Sequence, residues 1–201
     1  MDPKFPKLDP AAAAFWDVRY RESFTPWDAG QVPRQLRELI ASTPAPGRVL
    51  VPGCGSGHDV RAFCEAGWDV DGIDFSAAAL EAAQPVLGPC AGKARLADFF
   101  GGSVAGPYAL VYERAFLCAL PRSLWRLWAA RIGEIVPRGG FLTGYFYIEP
   151  GKERGPPFPL ASQDELQGLI GHAFTLTEDA DVPDSIDVFA GKERWQAWQR
   201  N

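Results

Sequence analysis

The chain has 201 residues, 47% hydrophobic and 12% aromatic, with a formal net charge of −5, which suits one globular domain with a sizeable core and excludes wholesale disorder. Lys and Arg are scattered without a basic run, so no nucleic-acid partner is expected. No apolar segment approaches the ~20 residues of a membrane-spanning helix, so no membrane partner is expected either.

In chain order, MDPKFPKLDP is charged and proline-rich and lacks the apolar stretch of a secretory leader, so a cytoplasmic location is the expectation. AAAAFWDVRYRE predicts a short helix, TPWDAG breaks the chain, and PRQLRELIAS starts a second helix with proline near its first turn. From Arg48 the pattern alternates. RVLVPG reads as a buried strand, HDVRAFCEAG as a helix closed by Gly67, and WDVDGID as a second strand. SAAALEAAQPV is an alanine-rich helix with Ser76 as its N-cap. KARLAD and YALVYER read as strands, PRSLWRLWAARIGEIV as a helix ended by PRGG, and FLTGYFYI as a long aromatic strand. The loop that follows, residues 149–161, is too rich in Gly and Pro for regular structure, and such loops often act as lids. SQDELQGLIGHA restarts as a helix, and FTLTED and IDVFAGK are expected as the last two strands. The alternation predicts an α/β, Rossmann-like doubly wound fold, with a mostly parallel seven-stranded sheet and helices on both faces. Residues 1–201 read as a single domain, with an N-terminal segment over 1–46 and the core over 47–201.

Cys54, Cys64, Cys90 and Cys118 form no C-x-x-C pair, and the imidazoles are His58 and His172. No metal-ligand spacing results. Four reduced, mostly buried thiols are expected.

VLVPGCGSGHDV places three glycines in five positions at the end of the first strand. In a doubly wound sheet the ligand sits there, at the carboxyl ends of the strands. A dinucleotide fingerprint starting at Gly53 needs a third glycine at position 58, which is His58; the spacing here is G-x-G-x-G. That spacing suits a methionine moiety rather than a pyrophosphate. Asp74, at the end of the second strand, can accept hydrogen bonds from both ribose hydroxyls, or it can cap the helix at Ser76. Asp98, in LADFF, lies where an adenine edge would sit. Phe99 and Phe100 either stack there or belong to the core.

FWDVRY, TPWDAG, VLVPGCGSGHDV, GIDFS, DFF, YERAFLCAL, GPPF and GKERWQAW, in this order, resemble one subgroup of the class I S-adenosylmethionine-dependent methyltransferases. It contains thiopurine S-methyltransferase and the plant halide and thiol methyltransferases, and the bacterial type looks closer than the mammalian one. The resemblance implies S-adenosyl-L-methionine as cofactor, S-adenosyl-L-homocysteine as product, a monomer, and an N-terminal segment folded over the cofactor. Trp16, Tyr20 and Trp27 match its aromatic cover, where ring faces attract a sulfonium cation; the alternative is that they pack against the first helix. Gly53, Cys54 and Gly55 match the methionine-side loop, Asp74 with Phe75 the ribose side, and Ala97, Asp98 and Phe99 the adenine side. Arg114 matches an arginine beside the methyl-transfer centre. Ser56 stands where many relatives carry a basic residue.

Methyl transfer from a sulfonium to a soft nucleophile needs chiefly proximity and alignment. Arg114 would favour a thiolate acceptor and orient it. Asp28 is either a proton acceptor, or water-positioning group, or a turn-capping Asp. Phe116, Pro157 and Phe158 are candidates for the acceptor side. Glu113 and Arg114 point to opposite faces by strand alternation, which leaves Glu113 outside the catalytic set. The expected activity is S-methylation of a small thiol or thiopurine. Halide, hydrogen sulfide, or selenium and tellurium species are alternative acceptors, and a nicotinamide-dependent oxidoreductase or a ligand sensor is a more distant reading.

Overall fold

A computed structural model describes residues 5–201; the first four residues of the proline-rich lead, and of the segment expected to cover the cofactor, lie outside the described residues. Seven strands form one sheet: β1 (Arg48–Pro52), β2 (Asp69–Asp74), β3 (Ala94–Leu96), β4 (Leu110–Arg114), β5 (Phe141–Tyr147), β6 (Phe174–Asp181) and β7 (Glu193–Arg200). Their spatial order is β3-β2-β1-β4-β5-β7-β6. The first five pair in parallel, and β7 runs antiparallel to both β5 and β6. The helices are α1 (Ala13–Arg21), α2 (Arg34–Ser42), α3 (His58–Glu65), α4 (Ala77–Leu87), α5 (Trp125–Ile135) and α6 (Gln163–Ile170).

Successive strand residues point to opposite faces, and the core divides accordingly. Leu50, Ile73 and Val111 face Trp128 and Ile132 of α5 and Leu166 of α6. Val49, Val51, Leu110 and Tyr112 face Leu36 of α2, Phe63 of α3 and Leu87 of α4. Burying each large apolar side chain stabilises the fold by ~1.5–3 kcal/mol, so both helical layers are held by the sheet. The expected α/β doubly wound architecture is the one observed. No helix among the described residues is long and apolar enough to cross a membrane.

Two expectations are corrected. IDVFAGK is not a strand: Phe189 N–H donates to the Ile186 carbonyl and Lys192 N–H to the Phe189 carbonyl, each at 2.8 Å, and Gly191 turns the chain at φ +70°. The last strand is ERWQAWQR instead. Inserted between β5 and β6, it has both faces covered, with Trp195 in one core and Trp198 in the other, so it lacks the polar–apolar alternation of a half-exposed strand.

The cysteines are the second correction. Cys64 and Cys90 form a disulfide with Cα atoms 6.2 Å apart, joining α3 to the turn after α4. Packing of these two elements brings together residues that lie 26 apart in sequence, a proximity no local spacing reveals. Cys54 and Cys118 are free thiols.

Candidate active site

The glycine loop begins where β1 ends, and Cys54 N–H donates to the Ile73 carbonyl at 2.9 Å, tying it to β2. Gly53 and Gly55 adopt φ of +60° and +51°, in the left-handed region that a Cβ disfavours. Space excludes a side chain there as well. A Cβ at Gly53 would lie 2.6 Å from the Phe116 ring, and one at Gly55 would lie 2.6 Å from the Tyr20 hydroxyl.

Asp74 braces this loop from the end of β2. One carboxylate oxygen accepts the Gly55 N–H at 3.0 Å and the other accepts the Ser76 N–H at 2.9 Å. Burial raises its pKa to about 6, against the pull of these backbone donors. Ser76 caps α4, as its sequence position implies, by accepting the Ala79 N–H at 3.1 Å. Its hydroxyl also donates to Asp17 of α1 at 2.6 Å, and Ala78 N–H reaches the same Asp17 oxygen at 3.2 Å. Asp17 thereby clamps the N-terminal segment onto the start of α4. Sequence reasoning missed it, although an acid opposite a helix N-terminus carries a recognisable electrostatic logic.

The adenine-side candidates lie beside Asp74, with Ala97 N–H donating to the Asp74 carbonyl at 2.9 Å. Asp98 caps its own turn by accepting the Phe100 N–H at 2.9 Å. Phe99 is buried in the α5-side core, against Phe100 and Phe116 at ring distances of 5.2 and 5.1 Å. Phe75 is half-buried between Asp74 and Ser76.

The three cover aromatics meet one another. Trp27 stands edge-on to Trp16 at 5.4 Å and to Tyr20 at 6.0 Å, and its Nε1–H donates to the Tyr20 hydroxyl at 3.4 Å. Burial, with the Asp74 charge nearby, pushes the Tyr20 hydroxyl well above its ordinary pKa, so it stays protonated. Trp27 also packs against the group formed by Cys118, Tyr147 and Phe189. It therefore spans the cover and the neighbouring apolar wall.

Arg114, at the end of β4, lies 5.5 Å from the Tyr145 ring centroid and 3.8 Å from the Asp59 carboxylate. Asp59 sits in the first turn of α3, directly after the loop, and was not foreseen as a site residue. Burial raises its pKa to about 6, opposed by the Arg114 and His58 charges. Arg114 Nη1, Asp59 Oδ1 and the Tyr112 hydroxyl are all buried without a hydrogen-bond partner among the described residues. Asp28 accepts the Gly30 N–H at 2.8 Å, which is a turn-capping contact, and lies 3.9 Å from His58 Nε2.

Glu113 points away from Arg114, as alternation requires. Its Oε1 accepts the Phe116 and Leu117 N–H groups at 2.8 and 2.9 Å, which sets the turn that presses Phe116 onto Gly53. Burial lifts its pKa to about 7.

Two cavities flank this centre. The first is walled by Glu113, Cys118, Phe158, Leu160, Phe189 and Glu193. The loop 149–161 closes it: Phe158 N–H donates to the Cys118 carbonyl at 2.7 Å, and Arg122 donates to the Pro159 carbonyl at 2.7 Å. Phe158 lines this cavity, whereas Pro157 and Phe116 do not. The second cavity opens on the other side, beside Arg34, Arg37, Arg114 and Glu193.

A family model described as thiopurine S-methyltransferase matches residues 11–201. The chain is 30% identical over 191 residues to thiocyanate methyltransferase 1 of Brassica oleracea, covering 92% of this chain and 84% of that one. It is 28% identical over 190 residues to thiopurine S-methyltransferase of Pseudomonas putida strain W619, covering 85% and 88%. In fold it is similar to the Burkholderia thailandensis 1,6-didemethyltoxoflavin N1-methyltransferase solved with S-adenosylhomocysteine, with TM-score 0.76, 18% identity, and 98% and 93% coverage. The Synechocystis magnesium protoporphyrin IX methyltransferase solved with S-adenosylmethionine gives TM-score 0.72 and 17% identity, covering 98% and 100%. The glycine loop without a third dinucleotide glycine and the family match together remove the oxidoreductase reading. The chain belongs to the thiopurine S-methyltransferase family of S-adenosylmethionine-dependent methyltransferases.

Proposed function

We propose that this methyltransferase acts as a monomer on small thiols or thiopurines, by direct in-line transfer within a single domain. The observation that carries this reading is the placement of Arg114. A buried guanidinium lies beside Asp59, in the first turn after the glycine loop, and lines the more polar of two cavities that share Tyr145 and Glu193, the other being walled largely by apolar side chains. A cation at this place suits an acceptor bearing a soft anionic sulfur.

S-adenosylmethionine fits the residues present. Gly53 and Gly55 keep the loop bare and turned at positive φ, with Phe116 and Tyr20 packed onto it, and Asp74 is a buried carboxylate that braces the loop and is suited to a ribose. In this reading Gly53, Cys54 and Gly55 hold the methionine moiety, Asp74 and Phe75 the ribose, and Ala97, Asp98 and Phe99 the adenine. Trp16, Tyr20 and Trp27 cover the sulfonium from the 1–46 segment. The bound cofactor supplies an electrophilic methyl group on a positively charged sulfur. Arg114 stabilises the anionic form of the acceptor, and the low-dielectric wall strengthens that interaction by excluding water. Asp28 positions water or the acceptor near the methyl. Phe158, carried by the 149–161 lid, confines the acceptor in the first cavity.

Isothermal titration with S-adenosylhomocysteine, followed by a panel assay of alkyl thiols, aromatic thiols and thiopurines, tests this reading. No binding at hundreds of micromolar, or no methylated sulfur product, overturns it. The same buried cation favours a second reading in which small anions, such as halides, hydrogen sulfide, or selenium and tellurium species, are methylated. Headspace detection of the volatile methylated products separates the two.

A further inference from the structure

Loss of a proton accompanies every methylation of a neutral thiol, and the residues considered so far leave its destination open. Asp28 spends an oxygen on the Gly30 turn. Glu113 spends Oε1 on two backbone donors. Glu113 Oε2 is also buried without a hydrogen-bond partner among the described residues, but Glu113 lines the first cavity and not the second, and Asp28 lines neither. Glu193 differs from both in its position. It opens β7, lines both cavities together with Tyr145, and has one carboxylate oxygen fixed by the Ser185 hydroxyl at 2.6 Å. No hydrogen bond is made to its other oxygen among the described residues. Tyr145, the other residue common to both cavities, already donates its hydroxyl proton to Gln35 at 2.8 Å.

We infer that Glu193 is the proton acceptor for thiol substrates, taking the S–H proton as the sulfur attacks the methyl group. This rests on the thiol-methylating reading above. The thiol proton passes to the Glu193 carboxylate. The sulfur lone pair forms the new S–C bond, and the sulfonium C–S bond breaks with its electron pair left on S-adenosylhomocysteine. Glu193 later releases the proton to solvent.

The groups facing Glu193 are Arg114 from β4, Tyr145 from β5, Cys118 from the turn after β4, and Asp184 and Ser185 from the segment before β7. Burial lifts the carboxyl above its usual range and Asp184 adds to this, while the Ser185 hydrogen bond and Arg114 restrain it. A base raised in this way lies closer to an alkyl thiol in proton affinity, which improves the transfer.

The test compares two acceptor classes. Glu193→Gln should reduce kcat/KM roughly 10²-fold or more for an alkyl thiol that is protonated at the assay pH. An aromatic thiol already ionised at that pH should lose less than about threefold, since it brings no proton. Equal losses for both classes, or no loss for the alkyl thiol, overturn the inference. A wild-type protein that methylates no thiol overturns the functional reading as well.

Two further measurements stand apart from that variant's turnover. With S-adenosylhomocysteine bound, calorimetry of aromatic thiolate binding in buffers of different ionisation enthalpy should show proton uptake of about one in the wild type, because the arriving anion raises the neighbouring carboxyl. Uptake of the same size in Glu193→Gln overturns the assignment. Should that variant fail to fold, Ser185→Ala retains the carboxylate and removes its donor, and should move the acid limb of kcat/KM for alkyl thiols to higher pH. An unmoved limb in Ser185→Ala, or a limb lost in Asp28→Asn instead, moves the role away from Glu193.

Discussion

Arg114 Nη1 and Asp59 Oδ1 face each other across 3.8 Å, both buried and neither hydrogen-bonded among the described residues. The two halves of this pair respond differently to loss of the partner. Asp59, with a pKa already near 6, can take a proton when Arg114 is removed, whereas Arg114 has no neutral form to adopt. Asp59→Asn should therefore destabilise the fold by about 3 kcal/mol and Arg114→Ala by less, read by chemical denaturation at neutral pH. Arg114→Ala should also cut turnover roughly 10²-fold with S-adenosylhomocysteine affinity nearly unchanged. Equal losses of rate and affinity would place Arg114 on the cofactor instead.

Gly55 and Tyr20 offer a second test, because the hydroxyl occupies the space a Cβ would need. Gly55→Ala should weaken S-adenosylhomocysteine binding tenfold or more, roughly the effect of ~1.4 kcal/mol. Part of that loss comes from the positive φ and part from displacing Tyr20. Adding Tyr20→Phe removes the clashing atom and should restore some affinity. If the double variant binds no better than Gly55→Ala alone, the N-terminal segment does not close over the loop in the bound protein.

The loop and its brace were legible in the sequence because they depend on local chemistry. Glycine spacing, the strand-end position of Asp74 and the capping preference of Ser76 are each set within a few residues. Asp59, Asp17 and Glu193 were not, because each faces a partner brought close only by the assembled sheet: Arg114, Ser76 and the two cavities. The same reason explains the missed last strand. ERWQAWQR is covered on both faces by the insertion of β7 between β5 and β6, so the period-2 signal that marks a half-exposed strand is lost. Asp28 and Asp98 were legible as acids near the ligand, but in this structure each also caps its own turn.

Thermal stability should fall as pH rises from about 5 to 7 in the cofactor-free protein. Asp59 and Asp74 have pKa values raised from 3.8 to about 6, and Glu113 from 4.5 to about 7. A carboxyl raised in the folded state contributes stability that is present below its unfolded pKa and is lost as pH climbs through the folded value. Asp71, Asp179 and Glu149 are shifted downward and add stability as pH climbs to just above their unfolded values, so the fall is read above about pH 5, where that gain is largely complete. Differential scanning calorimetry across this window checks it, and Asp74→Asn should flatten the slope. A melting temperature that rises between about pH 5 and 7 would contradict the burial described for these carboxyls.

The disulfide predicts a thiol count. Under denaturing, non-reducing conditions two of the four cysteines should react with a thiol reagent, and all four after reduction. Cys64→Ser should lower stability by roughly 2–4 kcal/mol relative to the oxidised protein. Because the bond links α3 to the turn after α4 and neither cysteine lines either cavity, turnover at low temperature should be retained. Four reactive thiols in the unreduced protein would exclude the bond.

The position of β7 bears on how the protein is built over time. Among the described residues β6 pairs with β7 alone, so the edge of the sheet has no partner there until the segment beginning at Glu193 enters between β5 and β6. Five parallel strands and the glycine loop can assemble before that segment arrives. Truncation within β7 would therefore remove the sheet edge and one wall of both cavities in a single event.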